Sequence, residues 1–283
     1  MSEDTPLAPG LYLVSTPIGN ARDITLRALD ILARADILAA EDTRRTRTLF
    51  EIHGLSLRGR RIAAYHDHSG PETRTSLISA VRDGAALAYV SDAGTPLLAD
   101  PGFRLAAAAV EADVPVFSAP GASALLAALA VAGLPTDRFL FAGFPPSKAG
   151  ARSNAFDAVG GVDATLVFYE SPRRLPESLA SMAVAFGPRQ AAVCRELTKR
   201  FEEVVRGTLV ELAERYQDAA VKGEVVVVIG PPVPQERTDE EIDHALADAL
   251  TGHSLKDAVA AVAVSLHVPR KRVYARALAM TGQ

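Results

Sequence analysis

The chain has 283 residues, 48% of them hydrophobic, with one cysteine, six histidines and a formal net charge of -4. That length and apolar content fill the cores of two ordinary domains and exclude a disordered chain, while the single cysteine, Cys194, excludes an internal disulfide and a cysteine-cluster metal site. The acidic balance excludes a wholly basic nucleic-acid coat, but a local basic face depends only on where Lys and Arg sit.

The opening "MSEDTPLAPG" is acidic and lacks the basic and apolar regions of a secretory signal, so a cytoplasmic protein is expected. Apolar segments such as 105–110 and 122–132 fall well short of the roughly 20 residues that span a bilayer, so no membrane association is expected.

From Leu11 to about residue 120, short apolar runs alternate with amphipathic stretches, the pattern of βαβ units around a mainly parallel sheet. "LYLVSTP" predicts the first strand. "RDITLRALDILARAD" then places Ile24, Ala28 and Leu32 at helical spacing, with Asp23 as N-cap. "ILAAED" and "RIAAYH" read as the next strands, followed by a helix from Pro71 to Arg82 with Gly84 just past its end. "ALAYVSD" is a further strand. Asp100 is expected to cap a helix opened by Pro101, and "VPVFSAPG" supplies the last strand of an α/β domain over residues 1–120.

The Pro- and Gly-rich "GLPTDRFLFAGFPPSKAGARSN" marks a change of character, so the junction falls between about residue 120 and 138. A second α/β domain, 121–232, has strands at "FLFAGF", "ATLVFYE", "AAVCRE", "EEVVRGTL" and "EVVVVIG", interleaved with two helical stretches. "PPVPQERTDEE" is an extended linker. The tail, 236–283, has three short helices; Leu255, Ala258, Val259 and Val262 form one apolar stripe, and Val273, Ala277 and Leu278 another across "HVP", a helix-turn-helix arrangement.

Open α/β sheets gather ligands at the C-terminal ends of their strands. Three small-residue loops sit there, "STPIGN", "SDAGTPLLADPG" and "SAPGASALLAAL", and together they line one crevice. Asp92 offers a hydrogen-bond acceptor and Gly94 permits close backbone approach, although both also suit a tight turn. None of the loops has the Gly-rich dinucleotide pattern or the Lys and Ser/Thr of a P-loop, so the ligand need not bring phosphate. His66, Asp67 and His68 are chemically suited to a metal, but three adjacent residues seldom converge on one ion, and no metal is expected.

These segments occur in an order that resembles the tetrapyrrole methylase-like superfamily, the class III S-adenosylmethionine-dependent methyltransferases. The wording "TPIGN", "AEDTRRT", "DAGTP" and "FYESPRR" is similar to that of the ribosomal small subunit methyltransferase I family. The resemblance covers nearly the whole chain. It implies two α/β domains with S-adenosylmethionine in the cleft between them, a C-terminal RNA-binding tail, and 2'-O-methylation of a cytidine ribose in the decoding region of small-subunit RNA. It further implies a homodimer, with the RNA or the 30S subunit as substrate. Carried over residue by residue, the cofactor site comprises Pro17, Ala93, Gly94, Thr95, Leu98, Ser123, Ala124 and Tyr169. Gly94, Thr95 and Pro96 stand where tetrapyrrole enzymes have Gly-Asp-Pro, which counts against a porphyrin-type substrate.

A ribose hydroxyl is a weak acid, so a base or nearby cation assists its attack. Glu41, Asp42, His66, Glu170 and Lys199 are the candidates, each with a competing structural role in capping or pairing. Arg44, Arg45 and Arg47, then Arg173 and Arg174, then Lys199 and Arg200, all follow strands and suggest a basic rim for RNA phosphates. In the tail, Arg270, Lys271, Arg272 and Arg276 are expected to face RNA, with Tyr274 in the small core. The competing readings are a tetrapyrrole C-methyltransferase and a helix-turn-helix nucleic-acid-binding regulator.

Overall fold

The computed structural model describes residues 6–66, 69–98, 102–232, 238–266 and 268–281. By contact density the chain forms two compact units, 1–232 and 233–283.

The first unit begins with β1 (Gly10–Val14), α1 (Leu26–Arg34), β2 (Ile37–Ala40), α2 (Thr43–Ile52) and β3 (Ile62–Ala64). It continues with α3 (Pro71–Arg82), β4 (Ala86–Val90), α4 (Phe103–Glu111) and β5 (Val116–Ala119). The five strands pair in the order β3-β2-β4-β1-β5, and every pairing is parallel. Parallel strands joined by helical crossovers need cover on both faces. Here α1 and α2 bring Ile31, Leu32 and Phe50 onto Val14, Leu38 and Val90, while α3 and α4 bring Leu77, Val81 and Leu105 onto Leu11, Leu87 and Tyr89. The alternation of these strand residues between two clusters is the period-2 signature of a central sheet.

Two local expectations change. The N-cap of α1 is Thr25, whose hydroxyl accepts from the Ala28 amide, and Asp23 instead ends the short 3-10 turn Ala21–Asp23. A cap must sit immediately outside the first helical residue, and Ile24 stays extended. The expected cap at Asp100 and Pro101 lies outside the described residues; α4 starts at Phe103 behind Gly102.

The second sheet follows α5 (Ala124–Ala132) and is built from β6 (Phe139–Gly143), β7 (Thr165–Glu170), β8 (Gln190–Arg195), β9 (Glu203–Thr208) and β10 (Val225–Ile229). Its order is β6-β7-β10-β8-β9, parallel only between β6 and β7. Three helices, not two, lie between these strands: α6 (Ala149–Gly160), α7 (Leu175–Phe186) and α8 (Leu209–Tyr216). The short α8 escapes notice because β9 runs straight into it, the switch being made by a capping box between Thr208 and Glu211. These helices cover one face through Phe156, Leu179, Met182 and Leu212; α5 covers the other with Leu125 and Leu129, joined there by Ile18 from the loop after β1.

The second unit contains α9 (Asp239–Leu250), α10 (Leu255–Ser265) and α11 (Arg270–Thr281), packed through Ile242, Leu246, Val259, Val262, Val273 and Ala277. Tyr274 is not in this core: it is 47% exposed, because Val273 and Ala277 already occupy the inward stripe of α11. Among the described residues no helix is long and apolar enough to cross a membrane.

Candidate functional site

The loops leaving β1, β4 and β5 are stitched together at the C-terminal edge of the first sheet. Thr16 and Gly94 exchange two backbone hydrogen bonds of 3.0 Å each. The Thr16 hydroxyl donates to the Ser91 carbonyl at 3.1 Å, and the Thr95 hydroxyl donates to the Ala122 carbonyl at 3.1 Å. This bonding fixes the shape of the loops before any ligand arrives.

The second sheet closes the space. Tyr169 on β7 accepts a hydrogen bond from the Leu125 amide at 3.2 Å, and its ring meets Phe141 and Phe144 edge-on. Burial raises its phenol pKa, so the hydroxyl stays protonated. Between the sheets lies a cleft of about 360 Å³, lined by Ile18, Glu41, Asp92, Ala93, Gly94, Thr95, Leu98, Ser123, Ala124, Tyr169, Glu170, Cys194, Leu197 and Val226 among others. That volume lies in the range of small-molecule clefts, about 300–1,000 Å³.

The lining suits S-adenosylmethionine. Gly94 has φ +80°, and a Cβ there would lie 3.1 Å from Ile18 Cγ2, so only glycine brings this backbone so close. Ser123, at the N-cap of α5, makes no side-chain capping bond; its side chain and the Leu125 amide face the Tyr169 hydroxyl, which puts polar groups at the start of α5 on the cleft wall. Ile18, Leu98, Leu197 and Val226 add apolar wall. Cys194 is buried there and its thiol pKa is pushed up to about 11, which makes it part of that wall and not a nucleophile.

Seven of the eight expected cofactor residues line this cleft; Pro17 lines its neighbour. That second cleft, about 540 Å³, is lined by Thr16, Pro17, Asp42, Arg44, Arg45, Thr46, Thr48, Lys199 and others, and it shares Ile18, Asp92, Ala93 and Glu224 with the first. Its cations come from both sheets.

The expected bases separate by their partners. Glu170 is buried: one oxygen accepts from the Ser171 amide at 2.7 Å and from Arg174 at 2.9 Å, and the other accepts from the Ser178 hydroxyl. Its lone pairs are committed to the start of α7. Asp42 caps α2 and its carboxylate is engaged by Arg44, whose hydrogen bond holds the pKa down to about 2, too low for a useful base. Burial opposes the charge on Lys199, but Glu196 at 2.8 Å and Glu224 at 2.9 Å outweigh it and raise its pKa, so Lys199 is held as a cation. Glu41 lines the first cleft. His66 lies in the loop after β3, where its amide donates to Ser69 at 2.9 Å, and it lines neither cleft.

The basic rim is narrower than expected. Arg44, Arg45 and Lys199 meet at the second cleft. Arg174 is committed to Glu170 and the Pro145 carbonyl; Arg173 is exposed, and Arg200 lies over the exposed Phe201 ring. In the tail, Arg272 and Arg276 pair with Asp239 and Asp243 within the helical bundle, leaving Arg270 and Lys271 on the exposed face.

Several lining residues, among them Ile18, Leu197, Glu224 and Val226, stand outside the expected site residues. Ile18 is signalled by an apolar side chain in the middle of a turn, "TPIGN". Asp92 stands in the "SDAGTP" loop, but only the structure shows that it lines both clefts.

Residues 10–213 match the family described as Tetrapyrrole (Corrin/Porphyrin) Methylases, and residues 236–281 match the RsmI C-terminal HTH domain. The uroporphyrin-III-C-methyltransferase of Thermus thermophilus superposes with a TM-score of 0.55 at 20% identity, covering 78% of this chain and 94% of that one, a likeness of fold. A Ribosomal RNA small subunit methyltransferase I of Mesorhizobium japonicum is 52% identical over 85% of this chain and 82% of its own length. One from Micromonospora olivasterospora is 47% identical over 85% and 75%. The chain belongs to the ribosomal RNA small subunit methyltransferase I family.

Proposed function

We propose that this methyltransferase transfers the methyl group of S-adenosylmethionine to the ribose 2'-hydroxyl of a cytidine in the decoding region of small-subunit ribosomal RNA. The observation that carries this reading is the pair of adjoining clefts: one with an apolar wall and a left-handed glycine, the other bearing Arg44, Arg45 and Lys199. The first suits the cofactor, and the second suits a phosphodiester chain.

When bound, the cofactor supplies a methyl carbon already activated by its sulfonium. The chain therefore has to bind, orient and exclude water. Ala93, Gly94, Thr95, Leu98, Ser123 and Ala124 hold the cofactor from the first sheet and α5, and Tyr169 holds it from the second sheet. Arg44 and Arg45 draw in the RNA backbone, joined by Arg173 at the rim and by Arg270 and Lys271 on the tail. Holding two reactants in line removes much of the entropic barrier.

The three-part division into 1–120, 121–232 and 236–283 belongs to this reading, with the tail as an RNA-holding module. So do a homodimer, assembled 30S subunits as substrate, and a cytoplasmic location. The deciding experiment is methyl transfer from labelled S-adenosylmethionine to small subunits lacking the modification, with mass spectrometry of the product. Label on a cytidine 2'-oxygen in the decoding region supports the proposal; label on a base, or none, overturns it.

A further inference from the structure

Methylating a hydroxyl leaves a proton to be removed; of the candidates considered so far, Glu170, Asp42 and Lys199 are held by other partners, His66 lines neither cleft, and Glu41 lines only the first. Four residues stand in the wall the two clefts share: Ile18, Asp92, Ala93 and Glu224. Two of them carry carboxylates. Glu224 is ion-paired to Lys199 at 2.9 Å and 69% exposed, a solvated group. Asp92 is 22% exposed. It follows β4 at the centre of the parallel sheet, where the backbone is held by neighbours on both sides.

Asp92 is also held in a defined orientation. Its Oδ1 accepts from the Asp42 amide at 2.9 Å, while the nearest cation to Oδ2, Arg45 Nε, stands 3.8 Å away. That separation is an ion pair without a hydrogen bond. Among the described residues Oδ2 has no recorded donor, so one oxygen fixes the side chain and the other retains accepting capacity.

We propose that Asp92 is the catalytic carboxylate that takes the proton of the attacking hydroxyl. This rests on the reading of the chain as a ribose methyltransferase. As the oxygen–methyl bond forms, the sulfur–methyl bond breaks and its electron pair returns to sulfur, discharging the sulfonium. The hydroxyl oxygen becomes strongly acidic in the same step, so a carboxylate suffices to accept its proton, which then passes to water. Arg45 balances the charge of Asp92 without occupying Oδ2. Asp92 thus receives the proton at the boundary between the proposed RNA cleft and the cofactor cleft.

The test compares the wild type with Asp92→Asn and Asp92→Glu as full chains, using labelled cofactor and unmodified small subunits. Asparagine keeps an acceptor for the Asp42 amide and removes the negative charge. The expected result is a fall in kcat of at least about 100-fold for Asp92→Asn, with the KM for subunits and the calorimetric Kd for S-adenosylhomocysteine within about twofold of wild type, and partial recovery in Asp92→Glu. Ribose labelling by the wild type together with a kcat for Asp92→Asn within about threefold of it overturns the assignment alone. A loss of product-cofactor binding in both variants also overturns it, since the role would then be structural. Absence of ribose label with the wild type overturns the underlying reading and the assignment with it.

Discussion

Glu170 and Arg174 form an ion pair of 2.9 Å in which the carboxylate side chain is fully enclosed and the guanidinium is 30% exposed. The pair joins the end of β7 to the start of α7, one residue from Tyr169 in the proposed cofactor cleft. Glu170→Gln removes the charge from a site with three donors and is expected to cost about 1.5–3 kcal/mol of stability. Urea denaturation measures this. Cofactor affinity should fall with it, and unchanged stability would show that the turn does not depend on the charge.

Gly94→Ala tests the close approach at the cleft floor. Alanine at φ +80° costs about 1–2 kcal/mol, and its Cβ sits 3.1 Å from Ile18. Calorimetry should show the Kd for S-adenosylmethionine raised by roughly tenfold or more. Wild-type affinity would mean that the cofactor does not rest on this backbone.

The Asp42 carboxyl titrates at about 2 because of Arg44. A carboxyl whose folded pKa is depressed contributes stability that is present above its unfolded value and is lost as pH falls through the folded value. The window here therefore runs from about 4 down to about 2, far from neutrality. An NMR titration should find Asp42 ionised throughout the working range, and Arg44→Ala should return its pKa toward the ordinary value. Loss of activity on acidification above pH 4 would then have another source.

The tail arginines should separate into two classes. Removing Arg270 and Lys271 together should weaken RNA binding and reduce the slope of log affinity against log salt by about one for each side chain. Arg276→Ala instead breaks the bonds to Asp243 and Asp239, and the tail should melt at a lower temperature. An unchanged salt slope in the first variant would remove the exposed face from the RNA contact.

Much of the fold is legible because most strands are bounded by turn residues and the central strands are apolar on both faces, whereas β9, which runs straight into α8, hides that helix. The helix Pro71–Arg82 is marked at both ends, by Pro71 and Gly84. What escapes is decided by tertiary partners. Asp23 and Thr25 are both good caps, and only the extended Ile24 selects between them. Tyr274 looks like core because it is large, yet the smaller Ala277 holds the inward position. The cofactor loops are legible by resemblance, while the partners of Glu170 and Lys199 are not, since Ser178, Glu196 and Glu224 come together only in the folded chain. The position of Asp92 in two clefts is likewise a property of the assembled sheets.

The second sheet places its last strand in its middle. β10 pairs with β7 on one side and β8 on the other, and its Val225 and Val226 form part of the cleft proposed for the cofactor. A ribosome making this protein therefore releases nearly all of the two-sheet unit before the sheet can close. A nascent chain that stops short of residue 225 has both neighbours of β10 but no strand to join them, and no finished wall for the cofactor. Cofactor capture thus reports on completed synthesis of this unit, and fragments ending before β10 should remain exposed to proteases whatever the cofactor concentration.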